Sequence, residues 1–286
     1  MKTLLSLGHG FSAQALAGLL PPEGWQVIGT TRSAEKAAGL ARLGVEAVLW
    51  PGTPLAPLLA RATHLLTSVA PNDSGDPILA AHAGDIAAAG HLQWLGYLST
   101  TGVYGHHSGD WVDESSPLNP ATRRGEARVR AEAAWARLCV AHDLPLQIFR
   151  LAGIYGPGRG PFEKLRNGTA RRILKPGQVF SRIHVADIAQ VLAASIRQPD
   201  PGAIYNVCDD DPAPPEDVIG YAATLLGLPL PPAIPYDEAE MTPMARSFYA
   251  ESKRVRNDKI KQDLGVVLHH PDYRSGLRAI LDLDTA

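Results

Sequence analysis

The stretch Leu4-Leu5-Ser6-Leu7-Gly8-His9-Gly10-Phe11-Ser12-Ala13 decides the fold. Leu4 to Leu7 is a short apolar run that reads as a buried strand. From Ser12 to Leu20 the pattern is helical, with Ser12 placed to cap it and Pro21-Pro22 placed to stop it. Two glycines lie between. Gly8 permits a tight turn, Gly10 lets a ligand approach the backbone, and Ala13 lets helix and strand pack closely. The N–H groups at the helix start, together with its dipole, favour a phosphate. Strand, G-x-G-x-x-A turn and helix in this order predict a dinucleotide pyrophosphate over Gly8, Gly10, Phe11, Ser12 and Ala13.

The alternation continues outward. Further strands are expected at 25–29, 46–49, 64–69, 92–98 and 146–150. Helices are expected at 33–43, 55–60, 78–89 and about 124–142, the last with Glu132 and several arginines on its polar face. This β-α-β-α order predicts an α/β fold with a doubly wound parallel sheet and right-handed crossovers. From Gly153 the chain turns rich in Gly, Pro and Arg, with helical patterns at 185–196 and 215–226 and a short apolar run at 203–207. Residues 1–152 read as the core. Residues 153–286 read mainly as a small C-terminal lobe over the sheet's carboxyl edge, with about 178–208 returning to the core.

Composition excludes several classes. The 286 residues are 45% hydrophobic and 20% charged, with a net charge of −2. That is ordinary for a soluble globular chain and unsuited to nucleic-acid binding by bulk electrostatics. Cys139 and Cys208 lack the spacing of a disulfide framework or a zinc site and fit a reducing cytoplasm. The apolar run at the N-terminus is too short for a signal peptide. No stretch approaches the roughly 20 apolar residues of a membrane span. His106-His107 and His269-His270 have no carboxylate cluster beside them, so no metal is expected.

The second strand ends Val27-Ile28-Gly29-Thr30-Thr31-Arg32-Ser33. A site selective for NAD usually carries Asp or Glu here, to hold the ribose 2′-hydroxyl. Arg32 offers instead a guanidinium fork that suits a 2′-phosphate, with Thr31 and Ser33 adding hydroxyls. NADP is therefore expected over NAD.

At Tyr97-Leu98-Ser99-Thr100-Thr101-Gly102-Val103-Tyr104-Gly105 the chain resembles the extended short-chain dehydrogenases/reductases, the superfamily of NAD(P)-dependent sugar epimerases, dehydratases and reductases. Arg150-Leu151-Ala152-Gly153-Ile154-Tyr155-Gly156-Pro157-Gly158-Arg159, Ile183-His184-Val185-Ala186-Asp187, Ile204-Tyr205-Asn206-Val207 and Lys261-Gln262-Asp263-Leu264-Gly265 are similar to later segments of the same family, in the same order. The resemblance implies a Rossmann-type core with a small substrate lobe. It implies that Ser68, Val69, Ala70 and Ser99 lie along the cofactor. It also implies that Tyr155, Arg159 and His184 face a small-molecule substrate, which in the family's nucleotide-sugar enzymes carries a diphosphate.

One departure stands out. Members that transfer hydride pair a Ser or Thr with Tyr-x-x-x-Lys on the next helix, where i, i+4 spacing puts both side chains on one face. Thr100 fits the hydroxyl position, but the helix reads Arg124-Gly125-Glu126-Ala127-Arg128. Arg128 can hold the ribose hydroxyls. Arg124 cannot replace a phenol, because its guanidinium stays protonated. Two readings follow. Either the acid/base lies elsewhere, with Tyr104, Tyr155, His106 and His107 as candidates, or the cofactor is bound without turnover, as in a redox sensor or scaffold. The loss resembles the atypical branch of the superfamily. Ala133, Ala134 and Ala136 on the long helix offer, by family analogy, a face for a homodimer.

Overall fold

A computed structural model describes residues 1–285. The N-terminal half runs β1 (Lys2–Leu7), α1 (Phe11–Leu19), β2 (Trp25–Thr31), α2 (Ala34–Arg42), β3 (Glu46–Leu49), α3 (Ala56–Arg61), β4 (His64–Thr67), α4 (Pro77–Ala87) and β5 (Trp94–Thr100). A single 3-10 turn (Thr101–Tyr104) and β6 (Trp111–Val112) lead to the long α5 (Arg123–Ala141) and β7 (Leu146–Leu151). Then come β8 (Gly153–Tyr155), α6 (Phe162–Arg166), β9 (Arg172–Leu174), β10 (Arg182–His184), α7 (Val185–Arg197) and β11 (Ile204–Val207). The chain finishes with α8 (Pro215–Leu225), β12 (Ala233–Pro235), α9 (Pro243–Phe248), β13 (Arg254–Val255), α10 (Asp258–Leu264) and α11 (Tyr273–Thr285).

Seven strands form one sheet in the order β11-β7-β5-β4-β1-β2-β3, and every pairing is parallel. The order reverses direction at β1, next to β4, which places a crevice at the carboxyl ends of those strands. Leu4, Ala13 and Leu16 pack with Ile188, Val191 and Leu192 of α7 on one face. Leu5, Leu7 and Ile28 pack with Ile78 of α4 and with Ala131 and Trp135 of α5 on the other. Central strands buried on both faces explain their continuous apolar runs. A third cluster, with Tyr155, Phe162, Leu165, Ala222, Leu277 and Ile280, is the core of the smaller lobe. Among the described residues no helix is long and apolar enough to cross a membrane.

Two sequence expectations fail for physical reasons. Ser12 does not cap α1. Gly10 takes that position, and Ser12 is buried one residue inside the helix. Glu132 does not sit on a polar face. It is buried and accepts from Arg150 Nη2 at 2.8 Å, from Arg150 Nε at 3.2 Å and from Ser99 Oγ at 2.5 Å. Arg150 Nη1 donates to Tyr104 Oη at 2.9 Å, and Tyr104 Oη donates to Asn206 Oδ1 at 2.7 Å. The chain of contacts ties α5, β5, β7 and β11 together beneath the carboxyl edge.

A buried ion pair broken on one side leaves an uncompensated charge. Glu132→Ala is therefore expected to cost about 3–5 kcal/mol of unfolding free energy. The double variant Glu132→Leu/Arg150→Met should recover much of that loss, which denaturant midpoints of the three proteins would show.

Candidate cofactor and active site

The glycine turn is held from three sides. Gly8 has φ +79°, a left-handed conformation that favours glycine. Its N–H donates to Thr30 Oγ1 at 2.8 Å, and its carbonyl accepts from Ser68 Oγ at 2.5 Å. A Cβ there would meet Ser68 Oγ and Val69 Cγ2 at 3.1 Å. Gly10 differs. A Cβ on it would approach nothing nearer than Gly8 O at 3.7 Å, so packing within the chain does not demand glycine. A ligand close to the backbone would. Gly10 has no side chain to cap α1, and the first helical turn carries no acid. The N–H groups of Phe11, Ser12 and Ala13 thus lack acceptors inside the helix and can meet an anion. These residues fit a dinucleotide pyrophosphate.

Arg32 follows β2 directly and is exposed. Among the described residues no acid pairs with it. Ser33 caps α2 by accepting from Lys36 N at 3.3 Å and keeps its hydroxyl proton for another partner. Val69 is half-buried and Ala70 exposed, just beyond the end of β4.

The other expected residues do not all converge. Thr100, at the tip of β5, is half-buried and accepts from Gly102 N at 3.1 Å, which leaves its proton to donate. Thr122 caps α5, and a Cβ on Gly125 would lie 2.8 Å from Gly102 O. This close approach sets the start of α5 against the turn after Thr100. Arg124 is exposed there, its guanidinium 5.7 Å from the Phe248 ring centroid. Arg128, one turn on, donates from Nη1 to Leu98 O at 2.7 Å and to Tyr97 Oη at 3.1 Å, so it is drawn down onto β5.

Ser99 spends its hydroxyl on Glu132, away from the crevice. Tyr104 is fully buried with its hydroxyl engaged by Arg150 and Asn206, and burial pushes its pKa up to about 12. That geometry argues against Tyr104 as an acid/base. His106 and His107 are committed too. His106 Nδ1 accepts from Ser252 N at 3.0 Å, and His107 Nε2 lies 3.1 Å from Tyr104 O.

The side chains of Tyr155 and His184 turn toward the C-terminal segment, at Gly276 and His270. Tyr155 is wedged against α11, where a Cβ on Gly276 would collide with its hydroxyl, and it meets the His184 ring edge-on at 5.2 Å. His184 caps α7 by accepting from Ala186 N at 3.2 Å. Asp187, fully buried, accepts from the N–H groups of His269 and His270. His184, Asp187 and His270 cluster closely enough to suggest a metal. However, with Nδ1 of His184 accepting a backbone N–H, the neutral ring carries its proton on Nε2 and offers no lone pair there. The trio is a structural clasp. A cleft of about 550 Å³ opens elsewhere, lined by Ser108, Lys175, Gln178, Glu216 and Arg254 among others.

Sequence reading missed Glu132, Arg150 and Asn206 as a network, and Phe248 as the neighbour of Arg124. Nothing local to Phe248 signals that contact, which joins residues far apart in the chain.

Comparison with known proteins places this geometry. A profile of the NAD dependent epimerase/dehydratase family matches residues 85–208. Protein YeeZ of Escherichia coli K12 is 31% identical over 251 residues, covering 81% of this chain and 86% of YeeZ. The chain belongs to the NAD dependent epimerase/dehydratase family. Among solved structures, a functionally unknown conserved protein from Silicibacter pomeroyi superposes with a TM-score of 0.94 at 59% identity, over 99% of both chains. UDP-glucuronic acid 4-epimerase of Bacillus cereus, solved with UDP-glucuronic acid and NAD, superposes at 0.78 with 17% identity, over 99% of this chain and 98% of its own. That last likeness is one of fold.

Burial at the site carries a pH signature. Desolvation lowers the pKa of His9, in the glycine turn, to about 4. His64 and His184 are lowered to about 4 as well, again chiefly by burial. Each ring stays neutral in the fold while the unfolded chain takes up a proton near pH 6.5. The stability they contribute is full above pH 6.5 and is lost as pH falls toward 4. Melting temperature should therefore drop steeply across that window. His9→Leu should remove its own share of the drop, up to about 3 kcal/mol.

Proposed function

We propose that the protein binds NADP(H) across the carboxyl edge of its sheet and acts as an atypical oxidoreductase or epimerase on a small polar or nucleotide-linked substrate. The observation that carries this reading is the uncapped start of α1 behind the Gly8 turn, in a chain of the epimerase/dehydratase family. Arg32, exposed and without an acid partner among the described residues, supplies the fork for a 2′-phosphate and selects NADP over NAD. A bound nicotinamide would supply or accept a hydride. Thr100 would donate a hydrogen bond from its hydroxyl to the reacting oxygen while keeping its proton. Arg124 would stabilise negative charge on that oxygen, but a guanidinium that never loses its proton cannot relay one. The proton itself would come from solvent on reduction and return to it on oxidation. The Bacillus cereus epimerase binds a UDP-sugar, which supports a nucleotide-linked substrate for this fold.

A second reading has its own support. By the family resemblance, Arg124 and Arg128 stand where members that transfer hydride carry Tyr and Lys, and Arg128 is tied to Leu98 O. A protein built this way could hold NADP(H) as a sensor without turning it over.

Fluorescence titration tests both. NADPH is expected to bind more tightly than NADH. Arg32→Asp should weaken NADPH about tenfold to a hundredfold and abolish the preference. Binding of neither cofactor below about millimolar, roughly 4 kcal/mol, would overturn the proposal. NADPH oxidation with a panel of sugar nucleotides, lost in Thr100→Val, would favour the enzyme. Tight binding with no turnover would favour the sensor.

A further inference from the structure

The segment after β7 ends in a tight turn that reaches back over the cofactor loop. Gly156 N donates to Arg159 O and Arg159 N to Gly156 O, both at 2.9 Å. Gly158 closes the turn at φ +68°. The turn is pressed against the starts of two helices: a Cβ on Gly156 would lie 2.6 Å from Val185 Cγ1 and 3.1 Å from Phe11 Cζ. Arg159 emerges from it with its guanidinium 5.7 Å from the ring centroid of Phe11, the first residue of α1.

Sequence reading assigned Arg159 to substrate. Its position beside Phe11 leads elsewhere. Arg159 is exposed, and among the described residues no acid pairs with it. Contact with the Phe11 ring does not consume the guanidinium's N–H donors. Those donors and the free N–H groups of Phe11, Ser12 and Ala13 belong to the same end of α1. Both are positive, and neither has an anion among the described residues. One phosphate can be met by a helix N-terminus alone. Two linked phosphates carry charge beyond its reach, and a bidentate arginine suits the second.

We infer that Arg159 is a second wall of the cofactor site, clamping the dinucleotide pyrophosphate against the start of α1 from the opposite side. The assignment rests on the proposed NADP(H) binding and divides the labour. Arg32 reads the 2′-phosphate, and Arg159 reads the pyrophosphate common to both dinucleotides.

The full-length protein and its Arg159→Ala and Arg159→Lys variants would be titrated with NADPH, NADH, ADP, 2′-AMP and UDP. Arg159→Ala is expected to weaken NADPH, NADH and ADP by the same factor, about tenfold. Binding of 2′-AMP, which has no pyrophosphate, should not change. Arg159→Lys, which keeps the charge but not the fork, should fall between. Arg32→Asp should show the converse pattern, with 2′-AMP weakened and ADP unchanged. Unaltered NADPH, NADH and ADP binding in Arg159→Ala would overturn the assignment. So would an equal loss of 2′-AMP, or a loss confined to UDP, which would return Arg159 to the substrate. If the wild-type protein binds no dinucleotide, the cofactor reading itself fails and this assignment falls with it.

Discussion

The geometry of the crevice depends on one buried ion pair. Glu132 and Arg150 lie under the carboxyl edge of the sheet, where each charge alone would be costly to desolvate. Their hydrogen bonds are shared out to Ser99, Tyr104 and, through Tyr104, Asn206. Every partner sits on a different element, so α5 cannot shift along its axis without stranding a charge. The start of α5 carries Arg124 and Arg128 and packs through Gly125 onto the turn after Thr100. The position of those arginines against Thr100 is thus set two turns further down the helix, by a pair that never meets solvent.

Much of the frame was legible in the sequence because it follows local rules. The sheet strands β1 to β5 were expected where they occur, with ends displaced by a few residues, whereas the two-residue β6 was not expected. The helix from 33 and its Ser33 cap were expected as found. The cap expected of Ser12 failed because the glycine turn ends one residue before Phe11, and the turn geometry outranks the capping preference. Glu132 was misread because periodicity treats a charge as exposed. Its partner Arg150 ends a strand that otherwise reads as apolar, and only the fold brings the two together. The helices at 243–248 and 273–285 were not expected at all. The first follows a Pro-dense stretch and has no buried residue to mark an inner face.

The candidate residues divide along the same line. Those fixed by backbone conformation, such as Gly8 and Gly10, were read correctly as a turn because glycine's freedom is a local property. Those chosen because their motif lies near the crevice fared less well. Tyr104 and Ser99 belong to the right segment but turn inward to the ion pair, and Tyr155 and His184 turn toward the C-terminal segment. Nearness along the chain gives the address of a segment. The side chain's direction is settled by which buried polar group needs a partner.

The net charge of −2 conceals how cation is distributed. Arg32, Arg124 and Arg159 are exposed, and two of them lie against aromatic rings. All three are arginines, whose planar guanidinium presents a fork of N–H donors that matches phosphate. On the cofactor reading, these guanidinium forks would supply the protein's share of the attraction for an anionic ligand. His9, in contrast, lies buried in the glycine turn, where desolvation lowers its pKa to about 4. Ligand affinity and fold stability are in this way assigned to different residues. Acid would weaken the glycine turn by favouring the unfolded chain, in which His9 takes up a proton.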